Sequence, residues 1–227
     1  MGLNVSVPIN SDLFGFRIYK LVPNGPLSKA KIKELEDFII PPKEIYEKNI
    51  PFDEWIKSNA NKLLTLEIYS ILKRKFFYIE IQTNPEGSKE GYLGASVRYE
   101  NFIDAHKKVL HVLEIKKDSF ADKILKLEEN NDYLIAIKPE KGDILSLNSK
   151  NDITPLDLFT EMIKFNIGKE CEFYIYNSKN GARFVKCKIP DDEFFELGCN
   201  VAYGKIHEFP IDENEDKTQI NGNLIDI

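Results

Sequence analysis

The sequence LGASVRY, at residues 93–99, recurs 104 residues later as LGCNVAY, at residues 197–203. The same offset relates PFDEW, at residues 51–55, to PLDLF, at residues 155–159. Self-similarity at one fixed spacing is the signature of a repeated structural unit. The chain is therefore predicted to contain two copies of one fold.

A third pair of motifs indicates what each copy is made of. FYIEI, at residues 77–81, corresponds to VKCKI, at residues 185–189, and both alternate between apolar and polar positions. That alternation is typical of strands in a sheet with one buried face. Offsets near the start of the two copies are only 94 or 95 residues, which indicates an insertion in the second copy around residues 138–151.

Prolines and turn residues complete the secondary-structure prediction. Each copy is predicted to run strand, short helix, strand, helix, two strands, loop and strand. Pro26 is expected to open the first short helix, and Pro51 and Pro155 the second helix of each copy, because a missing N–H is harmless at the first helical position. The expected fold class is α+β and β-rich, with each copy a small, partly open β-barrel or sandwich carrying two helices.

The predicted organisation has four parts. An N-terminal segment, 1–11, precedes the first domain, 12–105, and the second domain, 106–211, and an acidic tail, 212–227, follows. Both domains would have close to 100 residues, which is a normal domain size.

The amino-acid composition excludes some classes of function. The chain has 227 residues, with 37 acidic against 31 basic side chains and a formal net charge of −6. Because Lys and Arg contacts to phosphate supply most nucleic-acid affinity, this balance argues against a nucleic-acid partner. No apolar stretch approaches the roughly 18 residues that span a bilayer, and no secretory signal opens the chain, so we expect a cytosolic protein.

Chemistry-bearing residues form no recognisable catalytic or metal motif. The spacings of Cys171, Cys187 and Cys199 are typical of neither a disulfide framework nor a Cys-x-x-Cys metal knuckle, so reduced thiols are expected. Gly-x-Ser-x-Gly, His-Glu-x-x-His, phosphate-loop and dinucleotide-binding motifs are absent from the sequence. The histidines, at positions 106, 111 and 207, are scattered, which favours packing or surface roles. We predict no enzyme activity and no metal.

The first residues, MGLNVS at 1–6, match the pattern for N-myristoylation, which requires Gly2 and a small hydroxyl residue at position 6. The alternative is that Gly2 is simply a common second residue. One myristoyl chain binds membranes only marginally, with an association constant on the order of 10⁴ M⁻¹. An acylated Gly2 would therefore need a second signal, either a protein receptor or self-association.

Taken together, the motifs resemble the Golgi reassembly and stacking protein (GRASP) family over about residues 1–210. The resemblance is carried by residues 93–99, 111–114, 132–135 and 197–207, which occur in the family's order and spacing. It implies two tandem PDZ domains behind an N-myristoyl glycine. It further implies a peripheral protein on the cytoplasmic face of Golgi membranes that tethers them by self-association and binds golgin coiled-coil proteins through PDZ grooves.

PDZ domains bind an extended peptide as an added strand, beside a glycine loop that receives its carboxylate. The peptide-binding residues that the resemblance implies for the first domain are Trp55, Ile56, Tyr92, Leu93, Gly94, Ala95, Ser96 and Val97. Those implied for the second domain are Leu197, Gly198, Cys199, Asn200 and Val201. Trp55 has the alternative of being a core residue. Glu196 would repel a carboxylate, which favours the first domain for C-terminal ligands and the second for internal contacts.

The chain also departs from the family. The Trp-Gly-Gly run before each binding loop is replaced by residues 85–87 and 192–194. Arg17 and Glu100 stand where some relatives carry a His and a Cys proposed to bind metal, so we predict no zinc. The apolar terminus at Ile227 is expected either to dock in a groove of another copy or to fray.

Two other functions stay open at this point. One is a soluble PDZ scaffold in secretory or unconventional-secretion traffic, without a membrane-stacking role. The other is an accessory or substrate-delivery module of a peptidase, although no protease motif is present. Soluble partners would favour the scaffold, and co-purification with a protease would favour the accessory module.

Overall fold

The computed structural model describes residues 13–148 and 153–210, which form two antiparallel sheets. The first sheet consists of β1 (Phe14–Leu21), β2 (Asp37–Ile40), β3 (Leu63–Ser70), β4 (Lys75–Gln82) and β5 (Ala95–Asn101), in the order β4-β3-β2-β1-β5. The second consists of β6 (Leu110–Ile115), β7 (Asp132–Pro139), β8 (Leu145–Ser146), β9 (Glu170–Asn177), β10 (Gly181–Lys188) and β11 (Cys199–Ala202). Its order is β10-β9-β7-β6-β11, and β8 pairs with β7.

Within the described ranges, five helices connect these strands: α1 (Pro26–Lys29), α2 (Lys43–Glu47), α3 (Phe52–Ser58), α4 (Phe120–Lys123) and α5 (Pro155–Phe165). Pro26 and Pro155 open their helices as predicted, whereas α3 begins at Phe52 with Pro51 as its N-cap. The Thr154 hydroxyl caps α5 by accepting a hydrogen bond from the backbone N–H of Asp157 at 3.1 Å.

The element order of both copies follows the prediction, with two additions. Strand β8 lies inside the predicted insertion of the second copy. Helix α2 has no counterpart among the described residues of the second copy. It was not predicted, because a helix of five residues is too short to produce an apolar period. All strands of each sheet lie inside one predicted domain, while the boundaries 12–105 and 106–211 themselves stay a prediction.

The duplication is visible in the backbone as well as in the sequence. Asn24 and Asp118 have φ angles of 64° and 63°, and Leu35 and Asn130 have φ angles of 66° and 59°. Positive φ is uncommon outside glycine, so its return at matching positions indicates that both copies use the same turns. These pairs are separated by the offsets of 94 and 95 found in the sequence.

Each repeat has its own hydrophobic core, and a third core joins the two. The third core contains Tyr19, Phe38 and Phe102 of the first repeat together with Tyr174 and Phe209 of the second. Because the first repeat covers the outer face of the second sheet, almost every residue of β7 and β9 is buried. The alternation that indicated one buried face belongs to β4 and β10, whereas these two central strands have nearly continuous apolar runs.

Polar groups also cross the junction between the repeats. Glu100, which is buried, accepts a hydrogen bond from the Tyr19 hydroxyl at 2.8 Å and from Asn148 Nδ2 of the second repeat at 3.2 Å. Lys20 Nζ lies 2.9 Å from Glu172 Oε1. The shared core and these bonds lead us to expect that the two repeats move as one body.

Candidate functional site

Strands β5 and β11 hold equivalent places at one end of each sheet. β5 pairs only with β1 and β11 pairs only with β6, so within the described ranges one edge of each strand has no strand partner. An edge strand presents unpaired N–H and C=O groups. Such an edge can accept an extended peptide as an additional antiparallel or parallel strand.

A glycine loop precedes β5. The carbonyl oxygen of Gly94 accepts a hydrogen bond from the N–H of Val22 at 2.8 Å, and that of Leu93 accepts one from the N–H of Leu27 at 3.2 Å. These bonds fix the loop against the turn that leads into α1. Among residues 13–148 and 153–210, none accepts a backbone hydrogen bond from the N–H of Leu93 or Gly94. Loops that bind anions use backbone N–H donors of this kind.

The loop before β11 repeats this arrangement. The carbonyl oxygens of Gly198 and Leu197 accept hydrogen bonds from the N–H groups of Lys116 and Ala121, each at 2.9 Å. Glu196, just before them, is exposed. The two loops therefore have the same backbone design, and a carboxylate next to the second one distinguishes them.

The predicted site residues of the first repeat fall into two groups. Ser96 on β5 is exposed, and its neighbours Ala95 and Val97 are half-buried beside the free edge, as is Tyr92 in the loop. Trp55, Ile56 and Leu93 are instead 7%, 4% and 7% exposed and belong to the first repeat's core.

Trp55 is held in that core by two contacts. Its ring stacks on Phe52, with centroids 6.1 Å apart, and its Nε1 donates a hydrogen bond to Glu44 Oε1 on α2. The ring therefore has a fixed orientation and a packing role. Val97 and Tyr99 of β5 pack against the same cluster, which includes Trp55. Its contact with a ligand stays a prediction.

In the second repeat, Leu197, Gly198, Cys199 and Val201 are half-buried, and Asn200 is exposed. Asn200 Nδ2 donates to Glu114 Oε2 on β6 at 2.8 Å. Burial raises the pKa of Cys199 to about 11, so this thiol stays protonated at neutral pH. Their role in peptide binding likewise stays a prediction.

Sequence reasoning missed the groups that lie beside the edge of β5. A cavity of about 410 Å³ is lined there by residues 96–99 and, from the second repeat, by Lys138, Gly142, Asp143 and Ile144. Arg98 Nη1 donates a hydrogen bond to the carbonyl oxygen of Ile144 across it. The insertion of the second repeat thus lies against β5, and no local sequence signal could have placed it there.

The two positions compared with a metal pair form a buried ion pair. Arg17 Nη1 lies 3.9 Å from Glu100 Oε2, and both side chains are almost fully buried. Within the part of the chain that the structure describes, no cluster of three or more His, Cys, Asp or Glu side chains could hold a metal ion. Nor does that part contain a helix with the length and apolarity to cross a membrane.

Comparison with known proteins identifies the family of this chain. The family model of the GRASP55/65 PDZ-like domain matches residues 66–212, which is more than half of the chain. The chain belongs to the GRASP55/65 PDZ-like family. This confirms the resemblance read from the repeated motifs, and the β-rich tandem fold agrees with it.

Two GRASP relatives are similar along most of this chain. Golgi reassembly-stacking protein 1 of Homo sapiens is 27% identical over 216 residues, which are 92% of this chain and 46% of the relative. Its counterpart in Mus musculus is 27% identical over 215 residues, which are 92% of this chain and 45% of the relative. The chain thus spans about half the length of the relatives it matches.

Proposed function

We propose that this GRASP-family chain is a membrane-anchored adaptor that associates with itself and binds extended peptides, including those of golgin coiled-coil proteins, to tether or organise Golgi membranes. One observation carries the proposal. Each sheet ends in a strand with an unpaired edge, directly after a glycine loop whose carbonyls are fixed and whose N–H groups face no described acceptor.

Peptide binding would use both features of an edge. Main-chain hydrogen bonds to β5 or β11 supply affinity, and the half-buried side chains beside the strand supply selection. A free terminal carboxylate would be received by the N–H groups of Leu93 and Gly94. The exposed Glu196 disfavours binding of a terminal carboxylate at β11, because it is itself negatively charged. The second repeat would therefore bind internal segments or another copy of the chain.

Membrane attachment would come from an acyl group on Gly2, which lies with segment 1–11 outside the described residues. Two relatives carry Golgi in their names, which supports Golgi membranes as the location, and we propose that the chain lies on their cytoplasmic face. One acyl chain gives weak binding, so a second contact is required. Self-association would supply it, because two linked anchors dissociate far more slowly than one.

The peptide proposal is tested with a synthetic peptide of residues 220–227, made with a free carboxyl end and with a C-terminal amide. Trp55 is the single tryptophan, so its fluorescence reports binding near α3. Hydrogen–deuterium exchange should show the free-acid peptide protecting β5 and leaving β4 unchanged. β4 is the matched control, since it is the opposite edge of the same sheet and is not preceded by a glycine loop.

The amide should bind more weakly than the free acid, by about tenfold or more, because it loses a charge-assisted hydrogen bond. Equal binding of the two peptides would show that the glycine loop does not bind the terminal carboxylate. If the peptide protects β4 instead of β5 from exchange, or protects neither strand, the edge of β5 is not the binding site.

The membrane proposal is tested by comparing the chain with Gly2→Ala in cells, both tagged at the C-terminus and viewed against Golgi markers. The unaltered chain is expected on Golgi membranes and the variant in the cytosol. If both are cytosolic, the alternative function, a soluble PDZ scaffold in secretory or unconventional-secretion traffic, becomes the better account. Because the tag blocks the terminal carboxyl, an internally tagged pair is the control.

A further inference from the structure

Two cysteines of the second repeat lie directly opposite one another. The antiparallel register of β9 and β10 pairs Cys171 with Cys187, and both are present as free thiols. Residues directly opposite in such a pair project to the same face of the sheet. The sequence spacing of these two cysteines had suggested no pairing, because it contains no information on the register of the hairpin.

The backbone geometry suits a disulfide. Directly opposed residues of an antiparallel pair have Cα atoms about 4.5–5.5 Å apart. Disulfides accept Cα separations of about 4.4–6.8 Å. The register therefore places the two Cα atoms within the range that a disulfide spans while the strands remain paired.

The two thiols are unequal. Cys171 is buried, whereas Cys187 is half-buried on the edge strand β10 and is flanked by Lys186 and Lys188. The hydrogen bond between the two side chains lowers the pKa of Cys187 and raises that of Cys171. Since the thiolate is the nucleophile, Cys187 is the group that reacts first, and Cys171 is the group positioned to resolve the product.

We propose that Cys171 and Cys187 form a reversible redox pair that hydrogen peroxide or a related hydroperoxide oxidises to a disulfide. The Cys187 thiolate attacks one peroxide oxygen, forming an S–O bond as the O–O bond breaks, and the released hydroxide takes a proton to become water. The Cys171 sulfur then displaces hydroxide from the sulfenic acid of Cys187 and loses its proton. The two thiols lose two electrons and two protons, and the peroxide becomes two waters.

The reverse reaction needs a small thiol, such as glutathione or dithiothreitol. Two equivalents reduce the bond through a mixed disulfide and restore both cysteines. Cys199 serves as an internal control, because partial burial raises the pKa of its thiol and its strand lies at the far end of the same sheet.

The test treats the full chain with hydrogen peroxide near neutral pH, blocks remaining thiols, and identifies linked peptides by non-reducing digestion and mass spectrometry. The expected product is one intramolecular Cys171–Cys187 link, lighter than the reduced chain by two hydrogens and reversed by dithiothreitol. Cys199→Ser should form the link at the same rate. Cys187→Ser should lose it and leave Cys171 as a thiol.

Cys171→Ser provides the second arm. Without the resolving thiol, peroxide should leave Cys187 as a sulfenic acid that dimedone captures, and circular dichroism checks that this variant is folded. If the buried serine prevents folding, the rate of alkylation of Cys187 against Cys199 in the unaltered chain is the independent readout, and Cys187 should react at least tenfold faster. Three results would each overturn the proposal. They are a disulfide that includes Cys199, disulfides that form only between two chains, and oxidation of Cys187 to a sulfinic acid while Cys171 remains a free thiol.

Discussion

At the scale of single residues, Gly94 and Gly198 occupy the same point of the two repeats, with φ angles of 65° and 81°. Sequence motifs predicted glycine there for a loop that receives an anion. The structure adds a second requirement, which is space. A Cβ on Gly94 would lie 2.8 Å from the Cα of Gly25, and a Cβ on Gly198 would lie 2.2 Å from the Cβ of Ser119.

We expect Gly198→Ala to destabilise the protein more than Gly181→Ala does. Both glycines have positive φ, at 81° and 79°, so both variants lose about 1 kcal/mol to backbone strain. Only Gly198→Ala also forces Ser119 away, breaking its Oγ bond to the Gly198 carbonyl, for about 1–3 kcal/mol more. Urea unfolding measures the difference. Equal losses would show that the loop can move away from α4 freely.

At the scale of elements, the sequence supplied the order of strands and helices because each has a local signature. Alternation marks β4 and β10, the outer strands, and Thr154 with Pro155 marks the start of α5. Helix α2 and the two-residue strand β8 were not predicted, because the structure of such short elements depends on the residues packed around them. Local patterns also do not show which strand ends a sheet, so the free edges of β5 and β11 rested on the family resemblance alone.

The candidate site was predictable to a similar degree. The exposed Ser96 and the glycine loop lie where the motif placed them, beside the free edge of β5. Trp55 and Ile56 were predicted on the right helix, but a helix position alone does not tell a groove wall from a core side chain. In the structure both belong to the core, and Glu44 of the unpredicted α2 fixes the indole.

At the scale of the whole molecule, duplication was evident in the sequence, but the packing of the copies was not. Tyr19, Phe102 and Tyr174 look like ordinary core residues of their own repeats, and nothing in one sequence pairs them across the junction. The insertion around residues 138–151 is the clearest case. It was visible as a change of offset, and only the structure places part of it against β5.

The junction also contains a carboxyl group that makes the stability of the whole molecule depend on pH. Glu36 is 5% exposed and borders a cavity of about 650 Å³ that Tyr176 of the second repeat also lines. Burial raises the pKa of Glu36 to about 7, although Lys33 Nζ, 3.8 Å away, partly offsets it. The folded state therefore binds a proton that the unfolded chain releases near its ordinary pKa of 4.5.

This difference in pKa determines how the stability of the protein changes with pH. Stability from the neutral Glu36 is fully present below about pH 4.5 and is lost as the pH rises through about 7, so Glu36→Gln should become more stable than the unaltered chain by about 2–3 kcal/mol above pH 8. Urea unfolding at pH 5 and pH 8 measures the change. His106, whose pKa is lowered by burial, acts in the opposite direction in both proteins and cancels in the comparison.

The matched control is Glu90→Gln, which removes an exposed carboxyl from the loop before β5. The difference in stability between this variant and the unaltered chain should be the same at the two pH values, because the Glu90 side chain is exposed and packs into no core. If the Glu36→Gln curve stays parallel to the unaltered one as well, the carboxyl is ionised in the folded protein. The junction would then have to admit enough water to solvate a charge, and the two repeats would be less tightly joined than their shared aromatic core implies.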